Sequence, residues 1–202
     1  MAKKTTKRLS EKDRILNTAL ALAAEQRWRN VTLEMIVETS GIPLHRIRHF
    51  YRSKTTLVAA IIDRTSEAVL AGHDPADKNE PPRERLIDVL MRRFEALASN
   101  KKAVSSIIRD TISDPCSAFL IFPTFANAMA WSLDASGIGT SGLAGRVRIR
   151  GLSILYMSAI RVWLKDESED LSATLAHLDR QLRLVESLIL AFNRSNIRRP
   201  GG

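Results

Sequence analysis

Residues 31–54, VTLEMIVETSGIPLHRIRHFYRSK, leave a chain few options. Thr32 is a natural N-cap, because its hydroxyl can accept a hydrogen bond from a helix-start N–H that has no partner of its own. Leu33, Ile36 and Val37 follow at helical spacing. Gly41 takes the left-handed conformation that ends a helix at little steric cost. Pro43 suits the first turn of the next helix, where a missing N–H is no loss. That second helix, over residues 44–50, is short. Ile47 and Phe50 or Tyr51 can turn inward, but His45, Arg46, Arg48 and His49 cannot all be buried. Two short helices joined by a sharp turn, with a cationic outer face on the second, have the form of a major-groove reader.

The order Thr32, Ile36, Gly41-Ile42, Ile47, Phe50-Tyr51, Ser53-Lys54 and Leu57 resembles the DNA-binding domain of TetR-family regulators, over about residues 10–60. Pro43, His45, Arg46 and Arg48 depart from the usual residues of that pattern. The two arginines keep the cationic character that phosphate contact needs. The resemblance implies an all-α, TetR-like fold, with an N-terminal three-helix helix-turn-helix domain and a C-terminal helical ligand-binding and dimerisation domain. It also puts Lys54 beside DNA phosphate and sets Arg46 and Arg48 where the family's usual residues touch phosphates. From the residues themselves, the expectation is that Thr32, Arg48 and Lys54 hold phosphates, while Leu44, His45, Arg46 and His49 face base edges.

Charge agrees with a polyanionic partner. Residues 1–70 hold 13 Lys and Arg against 7 Asp and Glu, whereas residues 71–202 hold 18 against 15, so the excess is concentrated beside the reader. Residues 1–9 form a basic tail, which reads more often as a solvated terminus than as an arm along phosphate. The tail precedes an apolar run and so mimics a secretion signal. Glu11, Asp13, Arg14 and Asn17 interrupt it, and Ser10 with Asp13 reads as a capping pair for an amphipathic helix over residues 10–26. Ile15, Ala19, Leu22 and Ala23 form its buried stripe.

A fourth helix, capped by Ser53, runs to about residue 70 with Leu57, Ile61 and Val69 on one side. Residues 71–82, AGHDPADKNEPP, are the clearest break. They place the division between residues 1–60, reading DNA, and residues 61–202, binding an effector and dimerising. Helices follow over residues 82–99, 101–112, 117–134 and 143–165, and from about 171 to the end. The third of these is apolar nearly all round, which predicts burial on every side or a cavity wall, and Pro123 should break or kink it. Phe119, Phe122, Trp131 and Tyr156 are the candidate lining of a site for a small apolar or amphipathic effector. In the last helix Leu171, Leu175, Leu178, Leu182, Val185, Ile189 and Phe192 alternate spacings of four and three, a heptad seam. The final two helices are therefore the expected homodimer interface.

A second resemblance covers residues 156–182. Trp163-Leu164, Asp166, Ser168, Asp170, Thr174 and Leu178-Asp179-Arg180 look like the C-terminal part of a TetR-like lipid-binding family linked to ubiquinone biosynthesis. It implies the alternative function, a lipid- or isoprenoid-binding protein with a degenerate helix-turn-helix. The residues alone allow a simpler account, an acidic turn whose Ser168 or Asp170 caps the last helix.

Enzyme chemistry finds no foothold. His45 and His49 share a helix face but lack a Glu or a third ligand, so no metal is expected. The stretch 136–142, SGIGTSG, lacks the Gly-Lys-Ser/Thr ending of a phosphate loop. Arg146, Arg148 and Arg150 form a run that is more often a solvated face than an anion site. Cys116, the only cysteine, excludes an internal disulfide and reads as a small core residue. With no run of about 20 apolar residues, no membrane span is expected, and the single cysteine fits an expected reducing, cytoplasmic setting. The expected function is a ligand-responsive DNA-binding transcriptional regulator of TetR type, a repressor on palindromic double-stranded operator DNA, requiring no cofactor.

Overall fold

The computed structural model describes residues 10–72 and 80–197, with side-chain surroundings up to residue 185. The basic tail, part of the break after Ala71, and the seam positions Ile189 and Phe192 as side chains therefore lie outside the described residues. Among those described, every regular element is helical: α1 (Glu11–Glu25), a 3-10 turn (Trp28–Asn30), α2 (Leu33–Ser40), α3 (Leu44–Phe50), α4 (Lys54–Ala71), α5 (Pro82–Ala98), α6 (Lys101–Ile112), α7 (Pro115–Ala135), α8 (Gly142–Trp163) and α9 (Ser172–Ile197). The all-α expectation holds over the described residues, where periodicity and caps agree with the helices formed.

Local chemistry accounts for the helix starts. Ser10 Oγ accepts from Asp13 N–H at 3.1 Å and donates to the Asp13 carboxylate at 2.6 Å, which opens α1. At α4 the pairing is reciprocal: Thr56 N–H donates to Ser53 Oγ and Ser53 N–H donates to Thr56 Oγ1, at 3.2 and 3.1 Å. Gly145 shows a different constraint. It lies so close to the Thr140 carbonyl that an added Cβ would stand 1.8 Å from that oxygen, so only glycine fits there.

The chain packs into two compact units. The first comprises residues 1–68 and 95–128, the second residues 69–94 and 129–202. The core of the first joins Ile15, Leu16, Ala19 and Ala23 of α1 to Ile36, Ile42, Ile47, Tyr51, Leu57, Ile61, Ala103, Ile107 and Ile121. It thus takes α6 in with the N-terminal helices. In the second unit Phe94 stacks on Tyr156 at 4.9 Å between ring centroids and lies 5.5 Å from the Trp163 ring.

The residues of the second resemblance do structural work in this unit. Trp163 and Leu178 are fully buried. Asp166, also buried, accepts from Thr174 N–H at 2.8 Å and from the Thr174 hydroxyl at 2.6 Å. Ser172 N–H donates to Ser168 Oγ and to Asp170 Oδ1, both at 3.1 Å. Asp166, Ser168 and Asp170 together form the cap of α9. Burial alone would raise the Asp166 carboxyl, but the Ser168 and Thr174 hydrogen bonds outweigh it and hold the group at about 2. Asp166→Ala should lower stability by about 2–3 kcal/mol, since it removes charge-assisted bonds and uncovers a buried helix end. A denaturation midpoint checks this, and an unchanged midpoint would assign the cap to Ser168 and Asp170 alone.

Two expectations need correcting. α7 is one helix through Pro123 and is not broken there. It is also not buried on all sides. Ile121, Ala128, Met129 and Leu133 are buried, but Phe119, Leu120, Phe122 and Trp131 are exposed, Phe119 at 79%. Composition counts apolar residues without saying which of them find a neighbour. By length and composition alone α7 could cross a membrane, a test that core helices also pass. Ile121, Ala128, Met129 and Leu133 give it one packed side.

Candidate DNA interface

The helix-turn-helix is built as its sequence requires. Thr32 caps α2 by accepting from Met35 N–H at 3.2 Å, which leaves its hydroxyl hydrogen available. Gly41 ends α2 with φ of 66°, in the left-handed region. Pro43 is the cap residue just ahead of α3, and its carbonyl accepts from Arg46 and Ile47. Ile47 is completely buried and anchors α3 to the core, while Leu44, His45, Arg46, Arg48 and His49 are all exposed. Tyr51 donates its hydroxyl to the Lys12 carbonyl at 3.3 Å. Its burial pushes the phenol up to about 12, so it remains a neutral donor.

The predicted contact residues are not equally free. Arg46 donates through Nε and Nη2 to one oxygen of Glu11, at 3.1 and 2.7 Å, and its guanidinium carbon stands 5.6 Å from the Phe50 ring centroid. Even so, 47% of its side chain is exposed, so it stands at the surface. Lys54 is half-buried. Its ammonium donates to the carbonyls of Trp28 and Arg29, at 2.6 and 3.3 Å, and lies 4.7 Å from the Trp28 ring centroid. Two of its three N–H groups are thus used within the protein. Burial lowers the Lys54 ammonium below its ordinary range, and the charge of Asp110 opposes that.

Sequence reasoning missed the other side of this turn. Ser106 accepts from Trp28 N–H at 2.8 Å and donates to the Gln26 carbonyl at 3.1 Å. Asp110 accepts from the Arg27 guanidinium at 2.5 Å and from Arg29 N–H at 2.9 Å. The segment linking α1 to α2 is therefore gripped by α6 as well as by Lys54. A signal was present: Ser106 and Asp110 fall on the same helical stripe as Ala103 and Ile107, and polar residues on an apolar stripe need buried partners.

The effector candidates separate. Tyr156 is buried against Phe94, with Arg93 5.7 Å from its ring centroid, whereas Phe119, Phe122 and Trp131 are exposed. Cys116, expected in a core, is exposed at the start of α7, where Asp114 accepts from its N–H at 3.1 Å. Arg146, Arg148 and Arg150 are exposed, and Arg148 bonds the Gly139 carbonyl at 2.7 Å. No group of three His, Cys, Asp or Glu residues that could hold a metal ion occurs among the described residues.

An all-helical chain whose second short helix stands out beyond a tight turn belongs to the helix-turn-helix class of folds. Comparison with solved structures narrows this to the TetR-type fold. A TetR transcriptional regulator from Nitrosomonas europaea is similar over 87% of this chain and 98% of its own, at 24% identity and a TM-score of 0.71. A TetR regulator from Rhodococcus sp. RHA1 covers 85% of this chain and 95% of its own, at 19% identity and a TM-score of 0.62. A regulator of the same type from Aquifex aeolicus covers 87% and 99%, at 22% identity and a TM-score of 0.55. No family model and no curated protein matches the sequence.

Proposed function

We propose that the chain is a homodimeric, ligand-responsive repressor that binds palindromic double-stranded operator DNA through α3. One observation carries this reading: four cationic or titratable side chains, His45, Arg46, Arg48 and His49, are exposed on a helix locked to its core by Ile47. Arg48, Lys54 and the Thr32 hydroxyl hold phosphates; Leu44, His45, Arg46 and His49 meet base edges. Residues 1–60 read DNA, and residues 61–202 bind the effector and dimerise.

The grip of α6 on the 26–29 segment supports coupling between the two functions. An apolar or amphipathic effector settling on the exposed Phe119 and Phe122 of α7 would shift α6, which leads directly into α7. The turn into α2, and with it the spacing of two paired readers, would follow. Half-sites demand a matched spacing, so a small change weakens binding.

Titration of labelled duplexes from the upstream region of the protein's own coding sequence tests the reading. Tight binding to a palindrome should weaken with salt, with a slope of about −0.9 per contacted phosphate. Equal, weak binding to every sequence would overturn it.

For the dimer, the exposed side chains Leu143, Val147 and Ile154 of α8 and Leu175, Leu184 and Val185 of α9 are the surface to disrupt. Leu178 and Leu182 are buried within their own protomer, which leaves the exposed positions of the seam for a partner. Ile154→Asp combined with Val185→Asp should give monomers in sedimentation with helix content kept. A dimer surviving both changes would place the interface elsewhere.

A further inference from the structure

We propose that Glu11 is a positioning residue that presents Arg46 as a reader of guanine; this rests on the DNA-binding reading above. Arg46 is the third residue of α3, in the N-terminal part of the helix, where major-groove readers contact base edges. A guanidinium has five N–H donors fixed in one plane. One Glu11 oxygen takes the Nε–H and one Nη2–H. The remaining three donors include the outer pair, one N–H each on Nη1 and Nη2, which run parallel and point away from Glu11. Two parallel donors match the O6 and N7 acceptors of guanine. Adenine offers N7 beside an N6 donor, so one Arg46 N–H would face another N–H.

Glu11 thereby does two things with one carboxylate. It holds the fork in a single orientation, helped by the Phe50 ring beneath it. It also places a negative charge beside Arg46, and that charge repels phosphate oxygens competing for the same donors. A free arginine would take either ligand, whereas a buttressed one favours the flat, neutral base edge. Sequence alone carried no sign of this pair, which is 35 residues apart.

The test uses the full-length protein and three duplexes: an operator selected from random sequences, the same operator with the guanine pair facing α3 changed to A·T in both half-sites, and unrelated DNA. Wild type should favour the guanine operator over its changed form by about tenfold or more. In Glu11→Ala that ratio should fall at least severalfold, while affinity for unrelated DNA rises. Glu11→Gln keeps an acceptor without the charge. It should retain more of the guanine preference than Glu11→Ala while sharing its gain on unrelated DNA. Thermal unfolding should be nearly unchanged in both, because the pair is solvent-exposed. A guanine preference that survives in Glu11→Ala would overturn the assignment and leave the regulator reading intact. An equal gain on all three duplexes would reduce Glu11 to simple repulsion and overturn it as well. Wild type that binds all three alike would overturn the regulator reading itself.

Discussion

Asp110→Ala should cost about 3 kcal/mol of folding stability, the lower end of the range for breaking a buried ion pair. The lower end applies because the Arg27 side chain is 37% exposed and can turn to water, while the Asp110 side chain is only 4% exposed. The variant leaves Arg29 N–H without its acceptor and reduces the hold of α6 on the 26–29 segment to Ser106. Asp110→Asn, which can still accept from Arg29, should lose less. Chemical denaturation reads both, and equal stability of all three proteins would deny α6 its anchoring role.

The same group sets a pH dependence. Burial would raise the Asp110 carboxyl, but Arg29 N–H and the Arg27 guanidinium outweigh it and hold the native value below the ordinary 3.8. A carboxyl held down in the folded state stabilises it fully above the unfolded value and progressively less as pH falls towards the native one. The gap between wild type and Asp110→Ala should therefore be constant near neutrality and close in acid. A gap that widened with acid would contradict the pairing.

Arg46→Ala should weaken operator binding by about 2–6 kcal/mol, because a base-reading arginine is worth about 1–3 kcal/mol and a two-fold dimer uses it twice. Its signature is selective: the loss should appear on the operator and be much smaller on unrelated DNA. Arg48→Ala should instead weaken all sequences alike and flatten the salt slope by about one unit per lost contact. Fluorescence anisotropy at two or three salt concentrations separates the patterns. Uniform loss on Arg46→Ala would make that residue a phosphate contact.

The helical skeleton was legible because each boundary is written in local chemistry. Thr32, Gly41, Ser53 and Pro82 mark ends that need no knowledge of the rest of the chain. The inward stripe of α1 likewise follows from spacing alone. What spacing does not carry is pairing between distant segments. Nothing near Asp110 names Arg27 as its partner, and nothing near Glu11 names Arg46. The same limit explains α7. Its composition promised burial, yet which of its faces is covered depends on elements far away in the chain. The heptad seam of α9 is likewise divided: Leu178 and Leu182 lie in the protomer's own core, while Leu175 and Val185 are exposed.

The position of Cys116 has a practical use. It is the sole thiol of the chain, it is open to solvent, and it lies three residues ahead of Phe119 on the same helix. A maleimide dye would therefore attach at one known place, with no background from other positions. Were the proposed effector to settle over the neighbouring rings, the emission would change, so candidate ligands could be screened optically, without DNA in the cuvette.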